Sequence, residues 1–120
     1  MNVFVHDVNG TQVAEMQSEG IVIRSARDAA EITGELLSRG INKLILHERN
    51  MSPEFWQLSS GLAEVVLQEF ASKAIVVAFV GKLGQYKSES LRALIQESDL
   101  GSKAFFLGTV ELAKMQLSKK

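Results

Sequence analysis

The chain has no cysteine, a single proline, and only one tryptophan and one tyrosine among 120 residues; its 13 Lys plus Arg stand against 14 Asp plus Glu for a net charge of −1. Each scarcity excludes something. Without cysteine there is no disulfide, no cysteine-based zinc site, no thiol nucleophile and no iron–sulfur ligation, and a reducing compartment, the cytoplasm, is the expected setting. Without a basic excess or a Lys/Arg block there is no electrostatic footprint for nucleic acid or for an anionic membrane surface, so neither is an expected partner. The longest apolar run, Ala74 to Val80, has seven residues, where a membrane span needs about 20. The opening Met1 to Asp7 reaches an acid at once and lacks the basic start and apolar stretch of a signal peptide, so export by that route is not expected. Low-complexity tracts, flexible linkers and solenoid-period repeats are missing as well.

What is present is ordinary globular composition, 46% apolar and 22% charged, in a length that suits one domain over 1–120 burying roughly two-thirds of its unfolded surface. Asn9-Gly10 lies between two strand-like runs, Asn2 to Val8 and Thr11 to Gln17, and predicts a β-hairpin, because a type I′ turn needs positive φ at both central residues. Ile21 to Ile23 reads as a short extended piece. Ser25 then caps a helix over about 26–39, with Asp28 answering from its first turn, Ala26, Ala29, Ala30, Thr33, Leu36 and Leu37 on one face, and Gly40 ending it. Lys43 to His47 and Ala74 to Val80 read as buried parallel strands. Between them come a compact helix start at Ser52-Pro53-Glu54 and a helix from Ser59 to Ser72 whose expected buried stripe is Leu62, Val65, Val66 and Phe70. A further helix is expected from about Ser88 to Ser98, then a strand from Lys103 to Leu107 and a final helix capped by Thr109 that carries Val110, Ala113 and Leu117. The order implies an α/β fold, a mostly parallel central sheet with an N-terminal antiparallel hairpin at one edge and about four helices.

Leu58-Ser59-Ser60-Gly61-Leu62, at the start of the helix after the Lys43 to His47 strand, resembles the Asp-Ser-Ser-Gly-Leu signature of STAS domains, the anti-sigma-factor antagonist and sulfate-transporter C-terminal family. The later strands and helices are similar to that family's element order. The resemblance implies a STAS-like fold and a regulatory protein-interaction module without catalysis, in which the first serine of the motif, here Ser59, is phosphorylated by a partner kinase. A phosphate of about −2 charge at a helix N-terminus would alter docking by charge alone. Leu58 stands where the family has Asp, and Met51 to Gln57 forms a longer approach. The chain also resembles a small uncharacterised bacterial domain-of-unknown-function family in Leu44 to His47, Pro53-Glu54-Phe55, Gly61 to Gln68 and Ser90-Leu91-Arg92, which implies no activity.

The residues themselves leave several sites open. Ser59 or Ser60 is equally a helix N-cap worth roughly 1 kcal/mol. Met51, Phe55, Trp56 and Leu58 concentrate apolar bulk over the strand ends, either as an exposed protein-docking patch anchored on Trp56 or as core covering the sheet. The docking reading groups Phe55, Trp56, Leu58, Ser59 and Ser60 on one partner-binding face. His47 and Glu48 end a strand near the serine pair, where a hydrolase triad is conceivable, but no nucleophile elbow accompanies them. Gly81 to Ser88 follows a central strand and precedes a helix, the usual place for an anion, with Lys82, Lys87 and Ser88 beside His47 and Glu48 as ligand-binding groups. Only two histidines are present and neither lies in a ligand-spaced motif, so no metal and no cofactor is expected. The leading expectation is a cytoplasmic, non-enzymatic interaction module with a protein partner; the alternative is a small-ligand (anion) binder or weak hydrolase at the strand ends. Oligomeric state is left open, a homodimer included.

Overall fold

The computed structural model describes residues 2–81 and 104–119. The hairpin forms as Asn9-Gly10 requires: both residues hold positive φ, 53° and 87°, joining β1 (Val3–Val8) to β2 (Thr11–Met16) with an unbroken antiparallel register from Val8↔Thr11 to Val3↔Met16. Helix α1 (Ala26–Ser38) follows, then β3 (Lys43–His47), α2 (Leu62–Ser72), β4 (Val76–Val80), β5 (Ala104–Leu107) and α3 (Val110–Leu117). The five strands lie in chain order, β1-β2-β3-β4-β5, and every pairing after the hairpin is parallel. Three α-helices are described where about four are expected; the expected 88–98 helix lies outside the described residues. No helix among the described residues is long and apolar enough to cross a membrane.

The sheet is covered on both faces. Ala14, Met16, Leu44, Leu46, Val77 and Phe79 point to the side occupied by α1 and α2, and Val13, Ile45, Ala78 and Val80 to the side occupied by Ala113 and Leu117 of α3. This two-sided burial explains why β3 and β4 read as continuous apolar runs.

Both large helices are turned relative to the expected stripes. In α1 the buried residues are Ala29, Ile32, Thr33 and Leu36, and Leu37 faces solvent. In α2 they are Ala63, Val66, Leu67 and Phe70, an i, i+3, i+4, i+7 set, while Val65 is exposed. Helix α2 also begins three residues later than expected, because Gly61 takes a left-handed conformation at φ 77° and separates Leu58–Ser60 as a 3-10 turn. At its other end Ala74 adopts φ 58° to leave the helix, so β4 starts at Val76 rather than Ala74. The caps follow the sequence more closely. The Ser25 hydroxyl accepts from Asp28 N–H at 3.3 Å, the Asp28 carboxylate accepts from Arg24 N–H at 2.8 Å, and Thr109 Oγ1 accepts from Leu112 N–H at 3.1 Å. Ile23 forms a single parallel bridge with Met51, which ties the expected extended piece to the segment after β3.

Candidate functional site

Between β3 and α2 the chain makes three short 3-10 turns, Glu48–Asn50, Pro53–Trp56 and Leu58–Ser60. Proline at the first position of the second turn needs no N–H partner there, and the turn drops Phe55 and Trp56 into the interior. Phe55 is 0% and Trp56 4% exposed. Their rings pack on β4 and β5: Phe55 lies 5.1 Å from Phe79, Trp56 6.4 Å from Phe106, and Phe79 stacks on Phe106 at 5.2 Å. The expected docking face therefore loses both aromatic anchors to the core, because the 3-10 turn aims them at the sheet rather than at solvent.

Ser59 and Ser60 remain at the surface. Ser60 Oγ donates to the Glu54 carbonyl at 2.6 Å and accepts from Leu62 N–H at 3.2 Å, so it satisfies one of the orphan donors at the start of α2. Leu58 lies in the same turn. The Ser52 hydroxyl donates to the Glu54 carboxylate, and that bond, with one from the Glu54 backbone, holds its carboxyl below the ordinary value. Beside the turn lies an open cleft of about 550 Å³ lined by Ile21, Arg24, Ser52, Glu54, Ser60 and Leu62.

The second polar locus is on the α3 side of the sheet. Glu15 on β2 stands between two imidazoles, its Oε1 2.8 Å from His6 Nε2 on β1 and its Oε2 2.7 Å from His47 Nε2 on β3. The three side chains are 12–18% exposed. Burial pushes the Glu15 carboxyl up, but the hydrogen bonds from His6 and His47 and their charges outweigh it, and the net effect is a lowered pKa. Glu48 lies at the end of β3 with its carboxylate over Gly81, where an added Cβ would come within 2.8 Å of Glu48 Oε1. The remaining ligand-site expectations, Lys82, Lys87 and Ser88, lie outside the described residues. The hydrolase arrangement is not assembled: His47 is engaged by Glu15 and Ser60 by Glu54, with no hydrogen bond between either serine and His47 among the described residues. No group of three or more His, Cys, Asp or Glu side chains among the described residues is arranged to hold a metal ion.

Over residues 8–117 the sequence matches the family described as "Domain of unknown function (DUF4180)". The chain belongs to that family. No curated protein and no solved structure matches it. The family span runs from the end of β1 to the end of α3 and so takes in both polar loci except His6.

Four participants escape a reading of the sequence by motif. Glu15 and His6 are separated by a turn and carry no spacing signature, yet the Asn9-Gly10 hairpin fixes their register and thereby their contact. Asn50 is fully buried, and Arg24 precedes a helix as an unremarkable surface cation; nothing local marks either.

The lowered carboxyl of Glu15 sets a pH dependence. A group whose folded pKa lies below its unfolded value binds more protons when unfolded, so it stabilises the fold above the ordinary carboxylate value, and this is lost as pH falls through the folded one. Wild type should therefore lose stability as pH falls below the ordinary carboxylate value more steeply than Glu15→Gln. Urea midpoints across a falling pH series check this, and parallel curves for the two proteins would refute it.

Proposed function

We propose that the chain is a STAS-like interaction module of the cytoplasm that docks a protein partner at the start of α2, without catalysis, and that phosphorylation of Ser59 gates the docking. The observation that carries this reading is the exposed Ser59-Ser60 pair, set in its own 3-10 turn where a parallel strand gives way to a helix, beside the open cleft lined by Arg24. Ser60 is occupied in closing the turn, which leaves Ser59 as the hydroxyl for modification. A phosphoryl group there adds about two negative charges next to the positive end of α2, one residue from Ser60, which lines the cleft together with Arg24, a change large enough to reorder the docking surface. With Phe55 and Trp56 in the core, the apolar part of that surface falls to Ile21 and Leu62 on the cleft walls.

The test uses wild type, Ser59→Ala and Ser59→Asp as baits in the native cell extract, followed by affinity measurement on the purified partner. Wild type and Ser59→Ala should retain a common protein that Ser59→Asp binds about tenfold more weakly, a difference of roughly 1.4 kcal/mol. Equal affinity for all three removes the gate, and an empty wild-type bait removes the docking function.

A further inference from the structure

We propose that β1 is a self-association edge through which two copies of this chain pair antiparallel and join their sheets into one. Among the described residues, strand β1 has only β2 as a neighbour in the sheet. The two-residue turn makes Val8↔Thr11 a hydrogen-bonded pair, and Gln17 N–H donates to the Asn2 carbonyl at 2.8 Å at the far end of the same ladder. Antiparallel ladders alternate. The inward groups are therefore those of Asn2, Phe4, His6 and Val8, and the N–H and C=O of Val3, Val5 and Asp7 point away from β2.

Edges of this kind are usually blunted by lysine, proline or a bulge. Val3–Val8 has none of them, and its register with β2 is unbroken. Its one carboxylate, on Asp7, folds back to accept Gly10 N–H at 2.9 Å and does not shield the edge. The strand also carries an exposed aromatic side chain: Phe4 is 54% exposed, lying edge-on to His6 with ring centroids 4.7 Å apart.

The outward groups select the partner. A two-fold centred on Val5 sets Val3 against Asp7 of the second copy, Val5 against its counterpart and Asp7 against Val3, which uses every outward N–H and C=O of the strand; a shift by two residues in either direction leaves some unused. That register is self-complementary, as a closed dimer requires. It also places Phe4 directly opposite His6 of the second copy in a non-hydrogen-bonded pair, where side chains approach closest. Each Phe4 ring then covers the imidazole held by Glu15 and is itself covered. Association along a single strand is small by interface standards, so the dimer is weak, in the micromolar range or above.

Sedimentation equilibrium from about 5 to about 500 µM tests this, since weak interfaces assemble only in such a range. Wild type should move from 13.2 kDa towards twice that mass. Phe4→Lys removes a side chain that is mostly in solvent, and Val5→Pro deletes the central outward N–H at a position where an edge strand tolerates proline. Each should weaken the dimer about tenfold or more, the loss expected from two symmetric cross-strand contacts. Circular dichroism and a two-dimensional amide spectrum verify that each variant is folded, and Phe4→Lys carries the test if Val5→Pro is not. Amide exchange supplies the register: protection at Val3, Val5 and Asp7 should rise with concentration. A wild type that stays monomeric throughout overturns the proposal, as does a dimer indifferent to Phe4→Lys or one whose concentration-dependent protection falls on other amides.

Discussion

Trp56→Ala is expected to lower the unfolding free energy by about 4 kcal/mol, the usual cost of truncating a buried aromatic to Ala. The indole is 4% exposed and sits among Phe55 at 4.9 Å, Phe79 at 6.2 Å and Phe106 at 6.4 Å. Those rings belong to the 3-10 turn, β4 and β5, so the residue joins the connection after β3 to the far half of the sheet. Removing it takes away transfer energy and leaves a cavity that three rigid rings cannot collapse into. Urea denaturation checks the size, with the m value retained if the native and unfolded states keep their surface difference. A loss under about 1 kcal/mol would mean that the indole contributes as a surface group. The distinction matters for any binding experiment, because a Trp56→Ala protein that fails to hold a partner will have failed as a folded protein first.

The placement of Trp56 also marks where the sequence stops being readable. Alternation and turn chemistry depend on neighbours in the chain, so the hairpin, β3 and the cap at Thr109 were legible from Asn9-Gly10, Lys43 to His47 and Thr109 alone. The faces of α1 and α2 were not. Val65 and Leu67 are both apolar, and which one turns inward follows from how α2, which begins with Gly61 at its N-cap in a left-handed conformation at φ 77°, is set on the sheet. The Glu48 to Ser60 connection has no period of its own, because 3-10 turns of three or four residues are too short to show one. Whether its aromatics face in or out depended on tertiary packing. Of the site, His47 at a strand end and the Ser59-Ser60 pair were visible, whereas Glu15 became visible only through register: pairing Phe4 with Glu15 and His6 with Val13 puts His6 diagonal to Glu15 on the same face, within side-chain reach.

Asn50→Ala is expected to cost about 3 kcal/mol, from the loss of hydrogen bonds worth roughly 1 kcal/mol each together with the burial of groups left unpaired. Asn50 is 0% exposed. Its Nδ2 donates to the carbonyls of Ser18 at 2.9 Å and Gly20 at 3.0 Å, and its Oδ1 accepts from His47 N–H at 2.9 Å. The amide thereby fastens the loop after β2 to the end of β3, next to the short parallel seam at Ala14↔Leu44 and Glu15↔Ile45. Its backbone carbonyl takes Val22 N–H at 2.8 Å and Ile23 N–H at 3.1 Å, and Ile23 returns its own carbonyl to Ser52 N–H at 2.9 Å. Loosening the side chain should therefore be felt along this chain of bonds. Amide exchange at Val22, Ile23 and Ser52 should accelerate in Asn50→Ala even where β4 amides keep their protection, since the opening is local to the loop. Asn50→Asp separates geometry from size: it keeps an acceptor for His47 N–H but replaces two donations to carbonyls with a negative charge facing them. At neutral pH it should be more destabilising than Asn50→Ala despite its closer shape, and it should recover part of the loss on acidification, when the protonated carboxyl can donate once. If Asn50→Asp is the milder substitution at neutral pH, the two carbonyls are not what the side chain is there to bind.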